Sequence, residues 1–367
     1  MKTIALVSIV IGIALLTYPL FSEHETALPY QAPDLPRKDM VDIHFHGACA
    51  SAVFDCFISE QTREKFFGLK FSAYLKSFGI DQADIDAQND AEIFRQAHLL
   101  VKDSRYLSHA VVLAMDGVYD STGKLDRQRS AVYFPNEYVG EQVGKYDNLL
   151  FGASINPERH QAIADLTRAK QMGAVLIKWL PCTMLFDPAD PKHADFYRKL
   201  VDLNLPLLSH VGNESTIDNS QDELCDPMRL EPALKLGVTV IAAHMASLGE
   251  YQGQPAYLRL LQLMQKYPNL YVDNSATLMR NRPVDFLRSI DVSGRVFYGS
   301  DYPVLNVDIL GFRLQPMDRF DDLLDHNWRS YIHEDLNNPL DKDVALKKAM
   351  GLQDREFYLF QKVIGLP

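Results

Sequence analysis

Short apolar runs recur along the chain, separated by longer stretches whose apolar positions fall at helical spacing. The runs are residues 41–45, 110–114, 149–154, 174–178, 206–209, 238–243, 270–273 and 295–299, each rich in β-branched or large apolar side chains. Near-continuous apolarity marks strands buried on both faces, as in a parallel sheet covered by helices. Helical stretches are expected at 157–171, 194–203, 257–266 and 284–290. The first should open at Asn156-Pro157, an N-cap followed by proline at the first helical position. Eight runs in strand–helix alternation predict an α/β fold, a closed (β/α)8 barrel. An open doubly wound sheet would want a Gly-rich first turn, which the chain lacks. Residues 57–107 read as a helical insertion over the barrel mouth, and 304–338 as a second excursion flanking it.

Residues 3–22 carry no charge, with Lys2 before them and Glu23 and Glu25 after. Twenty helical residues reach about 30 Å, one hydrocarbon thickness. Residues 1–27 therefore read as a signal peptide or an uncleaved signal anchor, with the remainder exported to a periplasmic or other extracytoplasmic space. Residues 28–38, with Pro29, Pro33 and Pro36, form a stiff spacer, so the folded domain is expected over 39–367. Membrane contact is expected through the N-terminal segment alone. An apolar fraction of 47% rules out a disordered chain. With 37 basic and 48 acidic residues the net charge is −11, which argues against nucleic acid as a partner. A small molecule is the expected partner, and self-association is left open. Cys49, Cys56, Cys182 and Cys225 allow three disulfide pairings or four thiols, and spacing does not choose.

The chemistry collects at strand ends. In Asp42-Ile43-His44-Phe45-His46, alternation puts both imidazoles on one side and Phe45 on the other. His210 and His244 each follow a buried run, Lys178 ends the fourth and Asp301 the last. The C-terminal edge is where barrel active sites are built. Any one of these residues alone has a bland reading, as a core histidine, a cap or a surface lysine. Together they form a set of metal-competent groups, and imidazole with carboxylate suits Zn2+, with iron, manganese and nickel left open. Trp179, Asn213, Glu214, Asn274 and Tyr302 lie just beyond strand ends as candidate substrate contacts. Arg280 and Arg282, after the seventh strand, could grip a substrate carboxylate.

The motifs VDIHFHG, GASINPER, GAVLIKWLP, LLSHVG, IAAHMAS and FYGSDYP follow one another in this order over about residues 40–303. This succession resembles the amidohydrolase superfamily, and most closely its branch of aminocarboxymuconate-semialdehyde decarboxylase-like enzymes. The resemblance implies a metal held by His44, His46, His210 and Asp301. It implies that His244 acts as an acid/base or polarising group or binds a second metal. Lys178 is implied either as a carboxylated bridge between two metals or as a residue that binds none. The expected reaction is hydrolysis of an amide, lactone or ester by a metal-activated water, with Asp301 moving the proton. Non-oxidative decarboxylation is the alternative, and an inactive exported metal-binding protein is a third reading.

Overall fold

All eight predicted runs are strands, paired in parallel in chain order. They are β1 (Met40–His46), β2 (Leu107–Leu113), β3 (Leu149–Ser154), β4 (Leu176–Trp179), β5 (Leu207–Ser209), β6 (Val240–Ala242), β7 (Leu270–Asp273) and β8 (Val296–Phe297). The computed structural model describes residues 40–304, except 52–53, 65–68, 215–216, 218–219 and 277–293. It also describes 308–309, 312–313, 337–349, 360 and 363. The charge-free segment 3–22, the proline-rich spacer, Arg280, Arg282 and the helix expected at 284–290 lie outside these residues. Among the described residues no helix is long and apolar enough to cross a membrane.

The barrel closes between β8 and β1. Ile43 N–H donates to the Tyr298 carbonyl at 3.1 Å and His46 N–H to that of Tyr302 at 2.9 Å, while Asp301 N–H donates to the His44 carbonyl at 2.8 Å. Closure leaves no sheet edge to cover and locks the ends of β1 and β8 together. Inside, Val41, Ile43, Val111, Leu113, Leu176, Leu208, Ile241 and Phe297 form one cluster drawn from six strands. Such a barrel is a packed core and not a pore. Outside, helices lay apolar stripes on the strands. Ala162, Leu166 and Ala169 of the helix Ala162–Gln171 are buried, as are Phe196, Tyr197 and Leu200 of Ala194–Asp202. The spacing of three and four residues puts each set on one helix face.

Strand β1 contains a bulge. Asp42 pairs with Ala110 and Phe45 with Val112, so three steps on β1 match two on β2. Before the bulge Val41 and Ile43 face the interior; after it His44 and His46 do. Bulges re-aim side chains in this way beside functional sites. Phe45 points outward and stacks on Tyr302, with ring centroids 4.6 Å apart.

Two expectations are corrected, and the cysteine pairing left open by the sequence is decided. The helix expected from Pro157 begins at Ala162. Asn156 does not cap it, because its Nδ2 is committed to the carbonyls of Gly117 (2.9 Å) and Met184 (3.0 Å) and its Oδ1 accepts from Glu158 N–H. Arg159 then ties the intervening turn to the buried Asp116 and to Asp165. Trp179 is not at the mouth: strand alternation turns it outward beside the inward Lys178, where its ring packs on Phe186, Phe196 and Tyr197. The cysteines form two disulfides, Cys49–Cys56 and Cys182–Cys225.

The insertion expected between the first two strands does cover the mouth. Ile58, Phe71, Leu75, Phe78 and Ile85 line a cavity of about 210 Å³ that also reaches His44, His46, Lys178, His210, His244 and Asp301.

Candidate active site

The site lies where the eight strands end. His44 and Lys178 are fully buried, and His46, His210, His244 and Asp301 are buried to varying degrees around them. Asp301 Oδ1 stands 2.9 Å from His46 Nε2 and 3.4 Å from His44 Nε2, so three donors converge on one point. The His210 ring lies 4.9 Å from that of His244, which lies 4.9 Å from that of His44. Five of the six residues singled out from the strand ends thus join one constellation directly, and Lys178 completes it through a 2.7 Å contact from Nζ to His44 Nε2.

The backbone is bent to achieve this. Asp301 (φ 61°) and His244 (φ 58°) both occupy the left-handed region, at a cost on the order of 1–2 kcal/mol each for a residue with a Cβ. At His244 the bend lets its N–H donate to Asp273 Oδ1 at 2.9 Å and its Nδ1 lie 2.9 Å from Ser275 Oγ. Gly299 serves through its missing side chain. A Cβ there would stand 2.8 Å from His44 Cβ and 3.1 Å from Ser275 Cβ. The glycine of the GSDYP motif therefore admits His44 to the barrel wall.

Asp273, at the end of β7, joins the constellation although sequence reasoning passed over it. Its Oδ2 accepts from His44 Nδ1 at 2.8 Å. That bond places the proton on Nδ1 and presents Nε2 with its lone pair to the site centre. Its Oδ1 accepts from Ser275 Oγ, Ser275 N–H and His244 N–H. One carboxylate orients two of the four histidines. The available signal was its position: a carboxylate ending a barrel strand, like Asp301.

Electrostatics follow from burial and neighbours. Burial, reinforced by the Lys178 ammonium, pushes the His44 imidazole down to about 3 against the opposing pull of Asp273. Burial likewise lowers His210 to about 4, against the raising effect of Glu214. Both rings are neutral at pH 7, the form that binds metals. Burial works to raise Asp301, but the His46 hydrogen bond and the surrounding imidazoles outweigh it and hold the carboxyl well below its usual range. Asp273 behaves alike, with burial outweighed chiefly by His44. Burial lowers Lys178 to about 8, opposed by Asp273, Asp301 and Glu214.

This donor set fits a divalent metal. His44, His244 and Asp301 present ligand atoms within 4.8 Å of one another. His210 Nε2 is buried with no hydrogen-bond partner, its nearest carboxylate contact being Glu214 Oε2 at 3.7 Å. A buried imidazole nitrogen without a partner is costly unless a ligand completes it.

The candidate substrate contacts divide. Asn213 and Glu214 line the cavity. Asn274 does not: its Oδ1 accepts from Gly299 N–H at 3.1 Å, bracing β8 against β7. Tyr302 turns outward with its hydroxyl on the Ser77 carbonyl. A second support was invisible in the sequence. Lys347, fully buried on the helix Pro339–Ala349, donates to the Gly299 carbonyl at 2.6 Å and to Asp343 Oδ2 at 2.7 Å. It pins the backbone two residues before Asp301.

Comparisons with known proteins bear on the fold and the family. No curated protein matches the sequence. Solved structures do match in fold. A TIM-barrel protein from Bordetella bronchiseptica superposes with a TM-score of 0.51 at 14% identity, over 89% of this chain and 99% of that one. A protein described as a 2-pyrone-4,6-dicarboxylic acid hydrolase from Pseudomonas putida gives 0.49 at 12% identity, over 89% and 98%. A 5-carboxyvanillate decarboxylase from Novosphingobium aromaticivorans, complexed with manganese, gives 0.49 at 14%, over 94% and 100%. The amidohydrolase family model matches residues 41–345, which takes in all eight strands and every residue of the constellation. The chain belongs to the amidohydrolase family.

Proposed function

We propose that the protein is a metal-dependent hydrolase of an amide, lactone or ester bond in a small molecule. The observation that carries this is the convergence of His44, His46 and Asp301 on one point, with His210 and His244 beside it, at the floor of a cavity open to small molecules. His44, His46, His210 and Asp301 would hold one divalent cation, which supplies Lewis acidity and brings the pKa of water from 15.7 to about 7. Zinc is the ion that suits imidazole and carboxylate ligands here.

The chain's own residues do the rest. Asp301, ionised at neutral pH, takes a proton from the attacking water and returns it to the leaving group. His244, held through Nδ1 by Ser275, faces the charge that develops on the substrate oxygen. Lys178, with its Nζ 2.7 Å from His44 Nε2, adds a positive charge at the same edge. Asp273 keeps His44 in the ligating tautomer. The apolar walls exclude bulk water, which strengthens each of these interactions.

Export to an oxidising compartment is part of the proposal. The uncharged segment 3–22 and the two disulfide pairs support it.

The test is metal analysis of the purified protein, followed by turnover of a panel of lactones, esters, amides and aromatic carboxylates. One equivalent of metal with hydrolysis of a lactone, ester or amide, read by product formation, is expected, and His44→Ala should lose both. Full metal content and turnover in His44→Ala would overturn the assignment. Carbon dioxide release from a carboxylate would reassign the protein as a carboxy-lyase.

A further inference from the structure

The cavity above the ligating side chains is walled by hydrocarbon. Phe71, Leu75 and Phe78 descend from the insertion, Ile58 and Ile85 flank them, and Phe134 closes the far side. Charge is confined to the floor. Among the described lining residues the one ammonium is that of Lys178, at the floor with its Nζ 2.7 Å from His44 Nε2. The carboxylates are Asp301 and Glu214. Arg63, whose guanidinium lies 5.5 Å over the Phe71 ring, turns its N–H groups to the carbonyls of Ile58 (3.2 Å) and Ala50 (3.3 Å) and does not line the cavity.

The arrangement discriminates by charge. A carboxylate on the non-reacting part of a substrate would be desolvated against hydrocarbon, away from the Lys178 ammonium at the floor and with no other Lys or Arg among the described lining residues, and an unpaired buried ion costs several kcal/mol. Each buried methylene instead gains about 0.8 kcal/mol. Size sets a second limit. A cavity of about 150 Å³ accepts benzene, and this one is about 210 Å³.

We propose that the substrate is neutral: an ester, lactone or amide carrying one ring or an alkyl chain of about six carbons, seated against Phe71, Leu75 and Phe78. This rests on the hydrolase reading and narrows it away from dicarboxylates and other acids.

The test separates the two. Zinc-loaded full-length protein is titrated calorimetrically with hydroxamates, which chelate metal through the head group. The series runs from acetohydroxamate to octanohydroxamate, with succinic monohydroxamate as the carboxylate-tailed member. Expected is a Kd falling about fourfold per methylene up to about six carbons and then levelling, with the succinic compound at least about tenfold weaker than butyrohydroxamate. Ile58→Lys, at a half-buried position, supplies a cation and should reverse that last preference; its urea midpoint checks that it folds. A chain-length-independent Kd would overturn the inference. So would tighter binding of the succinic compound, and loss of that binding in Arg280→Ala or Arg282→Ala would trace its carboxylate to the segment after β7. Acetohydroxamate failing to bind at all would overturn the metal-site reading itself.

Discussion

Asp273 shows how much of this site is held by residues that touch no substrate. It bonds His44 across 229 positions of sequence and also holds the His244 backbone. Asp273→Asn keeps the shape but lets the amide donate where the carboxylate accepted, releasing the His44 tautomer. Metal affinity should fall about 10–100-fold, read by chelator competition, with the urea midpoint little changed. A second prediction concerns protons. His44 and His210 are lowered to about 3 and about 4 from 6.5 in the folded protein. Between those values and 6.5 the unfolded chain binds more protons, so stability is complete above about 6.5 and drains away as pH falls toward 4. Asp42, raised from 3.8 to about 7 by burial, acts in the opposite sense across that whole window and offsets part of the drop. Metal-stripped protein should therefore show a urea midpoint that drops below pH 6.5, and His210→Gln should flatten the drop. An unchanged slope in that variant would remove His210 from the account.

Among the elements, β1 and β8 matter most because they carry three of the four expected ligands. β8 is short and pairs with β7 through only Val272–Val296 and Asp273–Phe297. The helix Pro339–Ala349 compensates through Lys347, whose ammonium grips the Gly299 carbonyl and Asp343. Lys347→Met leaves Asp343 buried without its counter-ion and should destabilise the protein by about 3–5 kcal/mol, measured by urea unfolding. Adding Asp343→Leu should recover part of the loss, because two apolar residues replace the pair. The disulfides act on the loops. Cys182–Cys225 closes 43 positions of chain between the β4 and β5 loops, for which loop-closure entropy gives about 4 kcal/mol. The Cys182→Ala/Cys225→Ala variant should unfold at correspondingly lower urea, and reductant should mimic it.

At the scale of the whole molecule, metal binding and stability are linked. A cation bound to the native state alone stabilises it by about 4 kcal/mol at a thousandfold excess over its Kd. Stripping it should lower the melting temperature, and restoring zinc should recover it; a melting curve indifferent to metal would contradict the site. The insertion between β1 and β2 contributes at this scale too, since it adds apolar walls to the cavity at the barrel end. The barrel is common to many chemistries, and it is this cover that determines what reaches the floor.

The barrel and the gathering of the strand-end residues were legible in the chain because both rest on local rules. A strand buried on two faces needs a continuous apolar run, and side-chain alternation aims His44 and His46 together. Chain order then brings Lys178, His210, His244 and Asp301 to one rim, since every strand of a parallel barrel ends on the same side. The same alternation, carried one residue further, turns Trp179 away from the mouth, against its expected place. Contacts between distant segments were beyond such rules. The β1 bulge, the cysteine pairing, Asp273 on His44 and Lys347 on Gly299 depend on which atoms meet once the barrel has closed. Pattern along the chain sets which way a side chain points; only tertiary packing sets what it meets, and therefore which tautomer, which charge state and which cavity wall the site presents.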